Sequence, residues 1–431
     1  MFYAKFMGNV RGSRLHMVKS WAKDEAIEEV LDIKHFDEDD LYETLDWLSE
    51  NQERIEGKLF KDRSRGEISD IFLYDVTSSY LEGTDNELAE FGYNGDGKRG
   101  KKQITIGLMS LQEATHTDKE GYPVSVEVFK GSTQDSQTVV SQLRKLKSRF
   151  GVKRVIFVGD RGMIKKTQIE DINELKWNFI TAITKPQIRK LVNAGIIQMG
   201  LFDNKLVEIE YKGIRYIMRR NPERVREIAA GREERIEYII NYVNKKNVYL
   251  SEHKKASVEV AIKEINKEIQ KRKLVGIIDI RAKDRQLDIF TNKEALDEAG
   301  RLDGCYVIKT DVLDLDKETI HDRYKDLCQV EQAFRTMKTT LEEIRPVFVR
   351  KESRTRGHVF ICMLAYMVIK FAWDKSKELG FAREFIFQTL DRIQYISYEI
   401  QDRIIKVFPS ELQEHQRLLI DKLEIKLPKK L

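Results

Sequence analysis

The order of apolar and polar runs between residues 71 and 184 restricts the fold of this chain more than any other feature. Alternating and apolar runs predict strands, and a 3.6-residue periodicity predicts helices. The predicted elements are strands at residues 71–83, 103–111 and 122–131, a helix at 136–149, a strand at 154–158, a helix at 167–176 and a strand at 178–184. The short connections of the first three strands favour an antiparallel meander. We therefore expect an α/β fold whose mixed sheet has three antiparallel strands plus parallel strands, flanked by helices.

Two of these strands carry an aspartate in a position that needs an explanation. Asp75 interrupts the apolar run IFLYDV, and a charge in a buried strand is costly unless it is paired or bound to a metal. Asp160 stands where the strand 154–158 ends, which is the place where ligands bind in sheets of this type. Each residue also has a structural interpretation, as a turn cap for Asp75 and as the N-cap of a helix starting near Lys165 for Asp160.

A third acidic position lies in the segment from Tyr324 to Lys338, whose spacing predicts one continuous helix. Its apolar stripe is Val330, Phe334, Met337 and Leu341. Tyr324, Glu331 and Lys338 are seven residues apart, which places them on one face, with Arg335 beside Glu331. Such a face suits a surface that holds a metal and a phosphate together. The alternative is a solvated face with a Glu331–Arg335 ion pair.

Basic residues concentrate in two other places. The Gly-rich loop 92–102, GYNGDGKRGKK, carries Lys98, Arg99 and Lys101, which suit phosphate contact if the loop lies beside a metal site and are otherwise a solvated loop. The polar side of the helix at 136–149 is basic and predicts a face that follows a DNA backbone. Its members are Arg144, Lys145, Lys147 and Arg149.

These motifs together resemble the insertion-sequence transposases of bacteria and archaea that have a DDE catalytic triad. Tyr324, Glu331 and Lys338 match the Y-x2-R-x3-E-x6-K signature of that family, while Leu327 stands at its arginine position. Asp160 begins a D-R-G that the family carries at the end of the same strand. An R-P pair and a later G-H precede an apolar helix, as they do in the family. The predicted element order is that of the ribonuclease-H-like fold, in which the first and fourth strands pair, so Asp75 would face Asp160.

The resemblance implies a DNA transposase that cleaves insertion-sequence ends and transfers strands into target DNA. Asp75, Asp160 and Glu331 are then the catalytic residues and the ligands of two metal ions, with Mg²⁺ as the cofactor and Mn²⁺ as its substitute. The DNA-binding residues are expected to be Tyr324, Arg335, Lys338, Lys98, Arg99, Lys101, Arg161 and His358. Two alternatives remain open: a ribonuclease-H-like nuclease without strand transfer, and a catalytically silent DNA-binding derivative.

Composition restricts the partners only weakly. Lys and Arg number 76 against 71 Asp and Glu, a net charge of +5, so the distribution of charge matters more than its sum. The three cysteines have no paired spacing, which predicts a reducing compartment. The first residues, MFYAKFMGNVRGSR, lack the apolar stretch of a signal peptide, and the 15-residue run VFICMLAYMVIKFAW contains Lys370 and predicts a buried helix. We expect a cytoplasmic, nucleoid-associated protein that binds double-stranded DNA at element ends and targets, without membrane contact.

The pattern divides the chain into five parts. These are an N-terminal helical region at 1–67 that contacts end DNA, a first part of the catalytic domain at 68–199, an inserted β-containing domain at 200–300, a second catalytic part at 301–380 and a C-terminal helical region at 381–431. In the last part, one helix from Phe385 to Ile400 has apolar residues on more than one face. It predicts the contact surface of a homodimer on paired element ends.

Overall fold

The computed structural model describes residues 18–19, 33, 36–64, 71–93, 95–112, 121–339, 344–393, 396–400, 403–407 and 412–427. Its strands are β1 Ile71–Tyr80, β2 Gln103–Gln112, β3 Tyr122–Lys130, β4 Ile156–Gly159, β5 Asn178–Ala182, β6 Val207–Tyr211, β7 Ile214–Arg220, β8 Ile278–Lys283, β9 Gln286–Thr291, β10 Cys305–Thr310, β11 Ile396–Ile400 and β12 Arg403–Val407. Its α-helices are α1 Glu38–Ser64, α2 Asp135–Ser148, α3 Lys166–Glu174, α4 Lys185–Asn193, α5 Pro222–Glu252, α6 Val258–Lys271, α7 Lys293–Gly300, α8 Lys317–Lys325, α9 Leu327–Thr339, α10 Glu352–Ser376, α11 Arg383–Asp391 and α12 Glu414–Leu423. Short 3-10 turns lie at Met199–Leu201 and Lys377–Leu379.

Eight strands form one mixed sheet in the order β3-β2-β1-β4-β5-β10-β7-β6. Strands β1, β2 and β3 are antiparallel neighbours, and β4 runs parallel to β1 on its other side. The first residues of β1, Ile71–Tyr74, are all buried, so both faces of the strand are covered there, which explains its apolar sequence. This strand order, with helices following β3, β4 and β5, is that of the ribonuclease-H-like fold. The predicted fold class is therefore confirmed.

The chain divides into two compact units, one made of Met1–Phe179 with Arg323–Leu431 and the other of Ile180–Asp322. In the first unit, α10 packs against α1 and β3. A Cβ atom on Gly357 of α10 would lie 2.0 Å from the carbonyl oxygen of Leu45, so glycine is needed where the two helices meet. The same helix is the predicted buried run. Extended to Leu379, it is long and apolar enough to cross a membrane by length and composition, and 67% of its most apolar window is buried inside the protein.

The second unit contains the whole of the predicted insertion, 200–300, and has both helices and strands. The hairpin predicted around Lys212 and Gly213 is confirmed, because both residues adopt the positive φ of a two-residue turn between β6 and β7. A separate apolar cluster joins α5, α6 and the β8–β9 hairpin. Its fully buried members include Ile239, Val243, Leu250 and Ile265. The five-part division of the chain itself stays a prediction.

The predicted C-terminal helix from Phe385 to Ile400 is wrong. The helix ends at Asp391, and the chain continues as the β11–β12 hairpin before α12. Apolar and aromatic residues alternate at Ile396, Tyr398 and Ile400, a strand period that overrides the helical one. The expected apolar face is therefore divided between a helix and a strand, and Tyr395 lies outside the described residues.

Of the basic face predicted for residues 136–149, Arg144 and Lys147 are exposed, whereas Lys145 and Arg149 bind neighbouring elements. Lys145 is buried, donates to Ser125 Oγ at 2.8 Å and pairs with Glu127 at 3.1 Å. Arg149 pairs with the fully buried Glu56 of α1, whose carboxylate also accepts from Ser125 and from the amide of Val126. A buried carboxylate needs charged or hydrogen-bonding partners, and these two cations supply them. The resulting contacts hold the helices against β3.

Candidate active site

The parallel pairing of β1 with β4 brings two of the predicted carboxylates to adjacent positions. Tyr74 lies opposite Gly159 in the register of the two strands, and Asp75 and Asp160 are the next residues along them. Asp75 continues in β1 opposite Leu108, whereas Asp160 leaves the sheet and is exposed. The adjacency expected from the fold is thus confirmed.

Glu331 reaches the same region from helix α9, which packs against β1 and β2. The apolar stripe of this helix is buried, as predicted, at Val330, Phe334 and Met337, whereas Leu341 lies outside the described residues. Glu331 and Arg335 are exposed on the other face. The burial of one face therefore determines that the carboxylate points away from the core.

The negative charges of Asp160 and Glu331 act on the carboxyl group of Asp75. The pKa of Asp75 is raised to about 7, first because burial penalises its charged form and further because the negative charges of Glu331, Asp160 and Asp135 surround it. A carboxylate in such a site gains most from a cation. Within the described part of the chain, however, no group of three or more His, Cys, Asp or Glu side chains lies close enough together to hold a metal ion. Carboxylate oxygens are suitable ligands for a divalent cation, but in this structure the side chains are too far apart to form a complete coordination site.

Asp135 is an acidic neighbour that the sequence patterns did not single out. It begins helix α2, and its carboxylate oxygen would lie 4.0 Å from a Cβ atom placed on Gly162. Burial raises its pKa, the positive charge of Lys165 opposes that rise, and the charge of Asp160 adds to it. A helix-starting aspartate looks like an ordinary cap in a sequence, so its closeness to Asp160 becomes visible only in the structure.

Tyr324 contacts the site from a different helix than predicted. The segment 324–338 is broken at Asp326, which separates α8 from α9, so Tyr324 and Glu331 do not share one helix. The Asp326 side chain bonds to Gln112 and Gln329, and the amide of Gln329 bonds to its carbonyl at 2.9 Å, which starts the second helix there. The Gln112 contact joins residues that are 214 positions apart in sequence and could not be deduced from spacing.

The Tyr324 hydroxyl donates a hydrogen bond of 3.0 Å to Asp160 Oδ1. Burial and the Asp160 charge raise the pKa of this phenol, while the positive charge of Arg161 opposes the rise. The phenol therefore stays protonated at neutral pH and orients the Asp160 carboxylate. Its observed partner is a carboxylate, whereas the predicted partner was DNA.

Lys338 has a different role in this structure from the predicted phosphate contact. Its ammonium donates to Thr77 Oγ1 at 2.7 Å, to the Ser78 carbonyl at 2.6 Å and to Asp96 Oδ1 at 3.2 Å. An ammonium has three donors, and all three are used, so none remains for a phosphate in this conformation. Asp96 also accepts from Arg345 at 2.6 Å and its side chain is 4% exposed. Lys338 thus ties the Glu331 helix to β1, close to Asp75.

Asp96 is therefore predicted to be a positioning residue for this helix. In Asp96→Ala, Lys338 and Arg345 lose a buried acceptor, and a shift of about 1 Å in Glu331 would lower the cleavage rate by roughly 10–100-fold. Steady-state cleavage should show the loss mainly in kcat, with DNA affinity changed little. Asp96→Asn keeps an oxygen acceptor and should be intermediate. The matched control is Asp85→Ala, an exposed aspartate of the same connection. An unchanged kcat in Asp96→Ala would refute the prediction.

The other predicted DNA contacts differ in exposure. Lys98, Arg99, Arg161 and Arg335 are exposed, and Lys101 is half-buried and paired with Glu82 at 2.8 Å. His358 is 5% exposed inside α10, because the G-H pair stands at the start of a long apolar helix that packs into the core. Its contact with DNA stays a prediction.

The strand order and the acidic residues at adjacent strand positions define a protein of the ribonuclease-H-like class. A family model described as the transposase DDE domain matches residues 67–368. The match covers well over half of the chain, and the chain belongs to this family. It is a DNA transposase.

Comparison with solved structures finds remote likenesses, of which one is a transposase complex with DNA. The cryo-EM structure of a piggyBac transposase synaptic complex with hairpin DNA is 8% identical in sequence, with a TM-score of 0.41, and the match covers 90% of this chain and 79% of that chain. Among curated protein sequences, none matches.

Proposed function

We propose that this transposase cleaves DNA at insertion-sequence ends and joins the freed ends to target DNA, with Asp75, Asp160 and Glu331 as its catalytic carboxylates. One observation carries the proposal. Asp75 and Asp160 follow paired residues of β1 and β4, and the charges of Asp160 and Glu331 both raise the pKa of Asp75. Acidic groups from three elements therefore act on one point, which is an unfavourable arrangement unless cations neutralise it.

Mg²⁺ is the proposed cofactor, with Mn²⁺ as its substitute, because carboxylate oxygens are the ligands that both ions accept. Asp75, Asp160 and Glu331 would hold the ions. Two bound ions supply charge that stabilises the attacking and leaving oxygens of a phosphodiester displacement. The side chains would move together as they bind, since they do not stand at ligand distance in the described structure.

The proposed reaction has two displacements at phosphorus. In cleavage, water attacks the phosphodiester at the element end, the bond from phosphorus to the 3′ oxygen breaks, and that oxygen takes up a proton. In joining, the new 3′-hydroxyl attacks a target phosphodiester, a phosphorus–oxygen bond forms, and the target 3′-oxygen leaves with a proton. Tyr324 orients Asp160 in both steps, and Lys338 holds the Glu331 helix on β1.

Phosphate contacts are proposed for the exposed cations around these carboxylates. Lys98 and Arg99 belong to the Gly-rich loop, Arg161 follows Asp160, and Arg335 lies one turn beyond Glu331. Lys101 would contribute if it left Glu82. Contacts of this kind make DNA binding fall steeply with salt concentration, whatever the sequence of the DNA.

The direct test is a product assay with the DNA that flanks the gene. Labelled end DNA and a supercoiled plasmid are incubated with the protein and Mg²⁺ or Mn²⁺. We expect cleaved ends and plasmid molecules joined to label, both abolished by EDTA. Nicked DNA without joined products would instead identify a nuclease. DNA binding without cleavage under either ion would identify a silent DNA-binding derivative.

We further propose that two protomers act on a pair of element ends in the nucleoid of the cytoplasm. Joining both ends of one element at a single target requires that the ends be held together. Sedimentation in EDTA should show a monomer without DNA and a dimer with end DNA. A complex of one protomer and one end at every protein concentration would contradict the dimer.

A further inference from the structure

Two aromatic rings at the start of the Gly-rich loop are presented to solvent. The side chain of Phe91 is 66% exposed and that of Tyr93 is 92% exposed. Large apolar side chains scattered over a surface are common, so exposure alone indicates no function. The backbone that carries these two rings, and the charges beside them, distinguish this pair from the other exposed aromatic residues.

The backbone under the rings is held on both sides. Glu90 and Gln103 exchange two backbone hydrogen bonds, of 3.0 and 2.9 Å. The buried Gln103 amide donates to the carbonyls of Tyr93 and Gly131, both at 3.0 Å. Between the rings, Gly92 approaches so closely that a Cβ atom there would lie 2.1 Å from the Gly131 carbonyl oxygen. The two rings are therefore exposed on a backbone that hydrogen bonds and close packing hold in place.

The loop that carries the rings also carries exposed cations, and the acidic Glu90 beside Phe91 is paired with Lys130. Lys98 and Arg99 are exposed in the same loop, and the Lys98 ammonium lies 5.6 Å from the centre of the Tyr80 ring. Aromatic rings next to cations are the usual composition of surfaces that bind single-stranded nucleic acid, because the cations attract phosphates and the rings stack on bases. The charge therefore favours a polyanion as the occupant.

The loop is also attached next to the carboxylates. The Gly95 amide donates to Ser78 Oγ at 3.0 Å, and Asp96 binds Lys338. Gln103 pairs with Tyr80, which is five residues beyond Asp75 on β1. At about 3.3 Å per residue, that separation along the strand is about 17 Å. This is the length of about five stacked nucleotides, so one bound strand can reach both places.

We propose that Phe91 and Tyr93 stack on unpaired bases of the DNA strand that continues from the cleaved phosphodiester. The inference rests on the proposed function, since it needs a DNA strand at the carboxylates. Unpaired bases are preferred over a duplex because a ring can stack only on a base face that no neighbouring base covers. The surface thus binds opened DNA beside the cleavage point.

The test compares two forms of end DNA in EDTA. One is fully duplex, and the other has a short unpaired tail that contains 2-aminopurine. Wild-type protein should bind the tailed form more tightly and quench its fluorescence. The double variant Phe91→Ala/Tyr93→Ala should lose about tenfold or more in affinity for the tailed form, the effect expected of base–aromatic stacking. Its affinity for the duplex should change less than about twofold, since its cations remain.

Two further variants separate stacking from other effects. Phe91→Trp/Tyr93→Trp should restore both affinity and quenching. The matched control is Phe371→Ala, whose ring is 47% exposed on α10. The neighbouring residue Lys370 contacts Tyr122, and Tyr122 pairs with Leu111 of β2. Leu111 lies beside the start of β1, whereas Tyr80 is at the opposite end of that strand. The control should behave as wild type.

Equal losses on duplex and tailed DNA, or no loss on either, would overturn the proposal. A change in self-association without DNA would overturn it as well, because the rings would then form a contact between copies. Failure of the proposed function would give a different result. The protein would then not cleave DNA with either metal ion, but it would still prefer the tailed DNA in EDTA. If the protein cleaves DNA but does not prefer the tailed form, only the stacking proposal is refuted.

Discussion

Asp75→Asn is expected to lower DNA cleavage by at least about 1,000-fold, because it removes a charge that stabilises the reacting phosphate through bound cations. The same result is expected for Asp160→Asn and Glu331→Gln. Each variant keeps the shape of its side chain, so the fold and the affinity for end DNA should change little. Single-turnover cleavage and binding in EDTA measure the two effects separately.

The matched control for these variants is Glu170→Gln. Glu170 is an exposed acidic residue of α3, paired with Lys166 at 3.7 Å, and it loses one negative charge without touching the site. It should cleave at the wild-type rate. Asp135→Asn should fall between the control and the three carboxylates, since Asp135 contributes charge to Asp75 and Asp160. Wild-type cleavage by any one of the three principal variants would remove that residue from the proposed site.

The sequence points to Asp75 and Asp160 as candidate carboxylates for a physical reason. Asp75 is conspicuous because it interrupts an apolar run, and Asp160 because it ends one. Strand pairing then follows from the order of elements, which local periodicity can reveal. The register of β1 and β4 places the two residues next to each other as that order requires.

The contacts of Lys338 could not be predicted in the same way. Its partners Thr77, Ser78 and Asp96 lie more than 240 residues away in sequence. Asp96 stands in a loop rich in glycine and cations, which looks solvated because nothing local requires its burial. Lys145 is a similar case, since a cation on the polar side of a helix is buried by Ser125 and Glu127 of a neighbouring strand. Tertiary contacts, not spacing, decide such side chains.

Helix boundaries show the same limit at a shorter range. A seven-residue spacing links Tyr324, Glu331 and Lys338, yet Asp326 ends one helix and starts another because Gln112 and Gln329 bind it. The spacing survives the break, so the motif was recognised although its geometry was wrong. From Phe385 onward the helical and strand periods overlap, and pairing between β11 and β12 selects the strand.

Without divalent cations, the stability of the protein is expected to fall as pH rises, and Asp75→Asn is expected to remove most of that fall. The folded-state pKa of Asp75 is about 7, above the ordinary value of 3.8 for an aspartate. The folded state therefore holds this proton more tightly than the unfolded state does. Below about pH 4 the Asp75 carboxyl group does not lower the free energy of unfolding. Between the two pKa values this destabilisation grows, and above about pH 7 it is complete. A shift of this size corresponds to as much as about 4 kcal/mol.

Urea denaturation in EDTA at several pH values between 5 and 8 measures this effect. The free energy of unfolding of Asp75→Asn should exceed that of the wild type at pH 8, and the difference should shrink to less than about half of that value at pH 5. Glu170→Gln should follow the wild type throughout. Addition of Mg²⁺ at pH 8 should stabilise the wild type much more than Asp75→Asn, because an ion that binds only the folded state raises its stability. If the free energies of unfolding of wild type and Asp75→Asn in EDTA changed with pH in the same way, Asp75 would not destabilise the folded state. The electrostatic argument for the proposed site would then fail.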